Sequence, residues 1–137
     1  MFQQDYLMRI FLQFAEAIRR SMEKANGKLD PASAAEMLET AIGEATELDG
    51  GVLLSLAPES IASILSVSGT DPRVVEYIAR SLLLESRYLE DAGDTERAAL
   101  RASQARALAD SYGIDLTEES ISAEEFETLF EESKKGL

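Results

Sequence analysis

Spacing the residues at about 100° per position shows where the chain hides its apolar surface. From Phe2 to about Ala25 the apolar set is Tyr6, Leu7, Met8, Ile10, Phe11, Leu12, Phe14, Ile18 and Met22. Asp5, Arg9, Gln13, Glu16, Arg20 and Lys24 fill the opposite, narrow strip. This first helix has an apolar arc of roughly 240°, far wider than the stripe of about 100° a surface helix needs. It is therefore expected either at the centre of the fold or covering a second surface in an oligomer. Met8, Phe11 and Leu12 are the candidate oligomer face. Asn26-Gly27 supplies the stop.

Asp30-Pro31 opens the next helix as N-cap and first residue, with Ala34, Leu38, Ala41, Ile42, Ala45 and Leu48 on one stripe. Glu36, Glu39, Glu44 and Glu47 lie away from it, and Asp49-Gly50-Gly51 ends it. Val52–Leu56 is apolar but too short for its period to decide; a helical turn is expected, with a short strand as the alternative. Pro58 starts a short helix with Ile61, Ile64 and Leu65 inward. Asp71-Pro72 repeats the cap signature for a fourth helix, to about Ala92. After the Gly93-Asp94 turn, a fifth runs to Gly113. Its small face of Ala98, Ala102, Ala105 and Ala109 predicts a tight antiparallel hairpin with the fourth. Ser122-Ala123-Glu124-Glu125 is a capping box for a last helix, with Ile121 and Phe126 as its hydrophobic staple.

Two residues of the fourth helix break its pattern. Glu85 falls near the middle of an apolar arc made of Val74, Tyr77, Ile78, Leu82, Tyr88, Leu89 and Ala92. A carboxylate there is costly unless paired or protonated. Glu85 lies eight residues before Gly93 and Arg101 eight after it, so an antiparallel hairpin brings the two level. A buried Glu85–Arg101 ion pair that pins the register is expected. The functional alternative is a polar anchor, or an acid of raised pKa, in an interhelical pocket with Tyr77 and Tyr88. Leu83 lies on the polar strip between Arg80 and Arg87. It reads either as an ordinary lone surface leucine or, with those arginines, as an interaction surface.

Composition narrows the chemistry. The chain has neither histidine nor cysteine. Ser-His and Cys-His nucleophiles, thiolate and H-E-x-x-H zinc sites and Glu-x-x-His di-iron sites are excluded. No phosphate-cradle or hydrolase-elbow motif occurs, and the glutamate-rich stretches lack EF-hand spacing. No catalytic residue, cofactor or metal is therefore expected. The net charge of −13 argues against nucleic acid. That charge is uneven. Residues 1–28 carry five basic groups against three acidic, whereas 29–72 carry eight acidic and no basic ones. The start lacks a basic leader region, and no run is long and apolar enough to span a bilayer. A cytoplasmic location is the expectation, with membrane association through the first helix as a minor alternative.

The stretch Leu82–Ala109, in which Leu-Leu-Leu-Glu-Ser-Arg-Tyr-Leu-Glu-Asp-Ala-Gly-Asp-Thr-Glu-Arg-Ala leads into the alanine-rich helix, resembles a tetratricopeptide repeat. Leu82, Ser86, Leu89, the Gly93-Asp94 turn, Ala98 and Ala105 fall at the repeat's spacing. Ala102 and Glu85 depart from it, and no second repeat follows. The opening Met-Phe-Gln-Gln-Asp-Tyr-Leu-Met-Arg is similar to the start of a bacterial family of small helical proteins without an assigned function. The expected architecture for residues 1–137 is one all-α domain of five main helices plus one short helix. These form stacked antiparallel αα hairpins, tetratricopeptide-like, or alternatively an irregular orthogonal bundle. The resemblance implies a non-enzymatic protein-interaction or adaptor module that binds a protein or peptide, and a homodimer is the further expectation. The competing class is a small-molecule binder or enzyme around Glu85 and Arg101.

Overall fold

Aspartates and serines at helix starts, each a residue that trades its side-chain oxygen for an orphan backbone N–H, punctuate the chain. The computed structural model describes residues 2–137 and is all-α, with no strand among the described residues. Helix α1 runs Phe2–Met22 and ends in a wide π-turn over Glu23–Gly27. Helix α2 is Pro31–Thr46, α3 the single turn Gly50–Leu53, and α4 Pro58–Val67. Helices α5 (Pro72–Asp91) and α6 (Thr95–Tyr112) form the central hairpin. A 3-10 turn over Glu118–Ile121 leads to α7 (Ala123–Lys135). Asp30, Asp49, Asp71, Asp94 and Ser122 each accept a hydrogen bond from the backbone N–H of the first turn they precede. At Gly93 and Gly113 the chain leaves its helix at φ 87° and 66°, a conformation that suits a residue without a Cβ.

Helix α5 is the axis of the fold: α6, α2 and α1 all pack on it, and α4 closes the far side of α6. Helix α7 returns to α1. The closure is held at its end by Gln4 Nε2, which donates to Leu137 O at 2.9 Å, and by Arg73 Nη1, which donates to Gly136 O at 3.0 Å. The result is a closed helical bundle built from the α1–α2 and α5–α6 hairpins.

The width of the apolar arc of α1 has an intramolecular cause. Leu7, Ile10, Phe11, Phe14 and Ile18 are buried against three neighbours, α2, α5 and α7. The rings of Phe11 and Phe14 stack on Tyr77 of α5, with centroids 5.4 and 5.3 Å apart. Phe11 is therefore core and Met8 is half-buried, so the oligomer face expected from Met8, Phe11 and Leu12 does not exist as a surface. Leu12 alone remains outside, at 51% exposure.

The strip Arg80–Leu83–Arg87 is corrected in the same way. Leu83 is 1% exposed. Arg80 donates to Ser120 O and Glu125 O and pairs with Glu76, while Arg87 pairs with Glu118 and Glu90. The segment after α6 folds back over this strip and uses it as an internal interface. On α4, Ile61, Ala62 and Leu65 face the core, whereas Ile64, expected inward, is 40% exposed. The segment 52–56 takes the helical rather than the strand alternative, since α3 occupies its start.

Candidate functional site

Two features stand out chemically: a polar node inside the bundle, and two apolar hollows flanking α1.

The node begins with the α5–α6 hairpin. The short turn at Gly93 sets the register, and the small residues Ala98, Ala105 and Ala109 of α6 are buried along the helix. The structure places Arg101 Nε 2.7 Å from Glu85 Oε2, with Glu85 fully buried and Arg101 nearly so. Sequence reasoning passed over the rest of the constellation. Arg101 Nη1 donates to Leu54 O at 2.7 Å and to Gln104 Oε1 at 3.1 Å. Its Nη2 donates to Glu39 of α2 at 3.1 Å. Arg97 Nη2 reaches the same Glu39 oxygen at 2.7 Å. Gln104 Nε2 donates to the carbonyls of Leu54 and Leu56, both at 2.9 Å. One arginine therefore ties α2, the segment after α3, α5 and α6 together. The contact that aims that segment is glycine on glycine. A Cβ on Gly43 would lie 3.3 Å from Gly50 Cα, so a side chain there would push α3 a few tenths of an ångström away from α2.

The charge state of the node follows from burial. Desolvation, then the hydrogen bond and charge of Glu39, push Glu85 up to about 9, against the pull of Arg101. Burial also raises Glu39. Its hydrogen bonds with Glu85 and Arg101 outweigh that, and its carboxyl is held below the ordinary glutamate value. At neutral pH Glu85 is thus a neutral acid that accepts from Arg101 through Oε2, while its buried Oε1 has no hydrogen-bond partner among the described residues. The carboxylate that balances Arg101 is Glu39. Glu39 had been placed among the solvated glutamates of α2; its position three residues before Ile42, on the flank of the apolar stripe, was the one available signal. Gln104 was marked only by standing one turn from Arg101.

The outer edge of the node is open: Glu39 also lines a hollow of about 620 Å³ with Gly43, Asp49 and Gly50. Glu85 and Arg101 line neither of the hollows flanking α1. Tyr88 is spent elsewhere: its hydroxyl meets Ser21 Oγ at 3.0 Å, and Ser21 gives its own proton to Ile18 O, so Tyr88 is the donor. The structure does not gather Glu85, Arg101, Tyr77 and Tyr88 around one pocket: Tyr88 meets Ser21, and Tyr77 stacks on Phe11 and Phe14. No cluster of three or more metal-ligating side chains occurs among the described residues. Nor is any described helix long and apolar enough to cross a membrane.

The hollows lie on either side of α1. Between α1 and α2 an open groove of about 500 Å³ has an apolar floor of Leu12, Ala17, Met37 and Ala41. Arg9, Gln13, Glu16 and Arg20 of α1 and Thr40 and Glu44 of α2 rim it. Between α1 and α7 a narrower crevice of about 420 Å³ is walled by Ile18, Met22, Phe126 and Phe130, with Tyr77 at its base. Burial pushes the Tyr77 phenol up to about 12, and its hydroxyl has no hydrogen-bond partner of good geometry. The neighbouring Ser133 Oγ commits its proton to Leu129 O.

Comparison with known protein families, with characterised proteins and with solved structures finds no match to this chain.

Proposed function

We propose that the protein is a non-enzymatic protein-interaction module whose contact surface is the α1–α2 groove. The observation that carries this reading is Leu12. It is the most exposed large apolar residue of α1 among the described residues, and it belongs to an apolar floor with charges of both signs on the rim. A groove of this kind suits one face of an amphipathic helix, whose apolar residues seat on the floor while its polar flanks meet the rim. The resemblance of 82–109 to a tetratricopeptide repeat supports the same reading by analogy.

A photo-crosslinking amino acid placed at Leu12 or Thr40, in the cells that make the protein, tests it. Protein adducts are expected at both positions, and Met37→Glu should abolish the adduct at Leu12. The same probe at Glu59 or Asp110, on the α4–α6 side, should give none. Equal yields at the control positions, or no adduct at either groove position, would overturn the assignment.

A further inference from the structure

We propose that the occupant of the α1–α2 groove is a second copy of this chain, docked antiparallel along α1 about a two-fold axis between Leu12 and Gln13. This rests on the groove reading and supplies its partner. Asp5, Arg9, Leu12, Gln13, Glu16 and Arg20 are all exposed and fall within one arc of α1 about 100° wide. Lys24, next along the strip, is half-buried in the π-turn. From the N-terminal end the four exposed charges of α1 on this strip run negative, positive, negative, positive, with Leu12 and Gln13 in the middle. Reversed about that middle, every sign meets its opposite. Asp5 comes level with Arg20 of the other copy, Arg9 with Glu16, and Leu12 with Gln13. The two-fold axis repeats each pair, as an isologous interface requires. A parallel copy would set each charge against itself.

The ordinary account of such a pattern is intrahelical pairing, Asp5 with Arg9 and Glu16 with Arg20, one turn apart. The structure closes neither pair. Glu16 takes Arg19 at 2.7 Å, the Arg9 guanidinium lies over the Tyr6 ring, and Arg20 has no salt bridge with any described residue. The four charges of the strip also cancel, on a chain whose net charge is −13. Of the eight acidic groups in 29–72 and the eight in 114–137, Glu44 is the one that rims this groove, so two copies meet little of the like-charge repulsion those segments carry. Leu12, set at the axis, has the floor of Ala17, Met37 and Ala41 beside it.

The chain contains no cysteine, so introduced ones report orientation cleanly. Under mild oxidation Gln13→Cys should link to itself, and a mixture of Asp5→Cys and Arg20→Cys chains should link across. Neither of the latter two should link alone. In sedimentation from micromolar to millimolar concentration, Arg9→Glu and Glu16→Arg should each weaken the dimer about tenfold. The double variant Arg9→Glu/Glu16→Arg should return to within about twofold of the parent, because the pair is restored with its signs exchanged. Thermal melts of these surface variants confirm that folding is intact. A monomer across the whole range, self-linking of Asp5→Cys, or a double variant no better than the singles would each overturn the proposal. A monomeric purified protein whose Leu12 probe still captures a different protein in cells would overturn self-docking and leave the groove reading standing.

Discussion

Replacing Glu85 by glutamine distinguishes an ion pair from a protonated acid by the sign of its effect. Glutamine keeps an oxygen to accept from Arg101 Nε, and like the protonated acid it carries no charge into the core. If Glu85 were ionised and paired only with Arg101, the substitution would break a buried ion pair and cost about 3–5 kcal/mol. With Glu85 at about 9 the outcome reverses. Below its ordinary value of 4.5 both folded and unfolded chains hold the proton, and Glu85 contributes its full share of stability. As pH rises further, the unfolded chain releases the proton while the folded one keeps it. Stability then falls by about 1.4 kcal/mol per pH unit until the folded group itself titrates. By pH 7 the accumulated loss is about 3 kcal/mol.

The Glu85→Gln chain does not undergo that loss. Urea unfolding should find it equal to the parent near about pH 4, and more stable by up to about 3 kcal/mol at about pH 7, with the gap still widening toward about pH 9. A glutamine variant less stable than the parent at neutral pH, or a gap that does not change with pH, would refute the assignment. Glu85→Leu separates shape from polarity. It removes the acceptor of Arg101 Nε and should cost about 1–3 kcal/mol near about pH 4, because a buried guanidinium N–H is left without a partner. That deficit against the parent should shrink by up to about 3 kcal/mol toward about pH 7, since leucine escapes the same titration loss.

Three further outcomes follow from particular contacts. Gly43→Ala places a Cβ 3.3 Å from the Cα and N of Gly50, backbone atoms that cannot swing aside. Overpacking should outweigh the better helix propensity of alanine, for a net loss of about 1 kcal/mol in thermal unfolding; a higher melting temperature would contradict it. Asp71 caps α5 and accepts from Arg73 N at 2.8 Å and from its guanidinium, which holds its carboxyl below the usual value. Its stabilisation is present above the ordinary aspartate range and is lost as pH falls through the folded value. Asp71→Asn should therefore cost about 1 kcal/mol at neutral pH and nothing in strong acid, read from melts across the acid range. Tyr77→Phe removes a buried hydroxyl without a well-placed partner and should be neutral or stabilising within about 1 kcal/mol; a loss beyond about 2 kcal/mol would show that Ser133 holds it.

What the chain reveals to a reader of its sequence divides by range. The caps at Asp30, Asp71, Asp94 and Ser122 are local devices, each settled within four residues, and helix starts were legible from them. The level placement of Glu85 and Arg101 was legible because one short turn links their helices and leaves little choice of register. Glu39 was not. It joins the same guanidinium from α2, 46 positions before Glu85, and its place on the flank of the apolar stripe is too weak a mark to single it out among the glutamates of α2. Leu83 failed for the same reason in reverse. Its neighbours Arg80 and Arg87 read as solvated, yet both point at the 118–125 segment, and a leucine among paired arginines is buried once that segment folds back.

Helix α1 shows how far periodicity reaches and what must be added to it. Its apolar arc measured how much surface needed cover, but three packed neighbours and one oligomer partner would satisfy that width equally well. Packing decides the matter for Phe11 and Phe14, which close on Tyr77, and leaves Leu12 outside. The signal for a partner therefore lies in the narrow polar strip rather than in the wide apolar face. A wide apolar face is explained once the fold closes over it. Of the four charges Glu16 closes on Arg19 and Arg9 lies over Tyr6. The alternation of sign along the strip, and an Arg20 without a salt bridge to any described residue, are left over by the contacts within the chain. Charge order along one exposed stripe thus carries orientation, which hydrophobicity cannot. For that reason the exchange of Arg9 and Glu16 between positions tests self-docking more sharply than any disruption of Leu12.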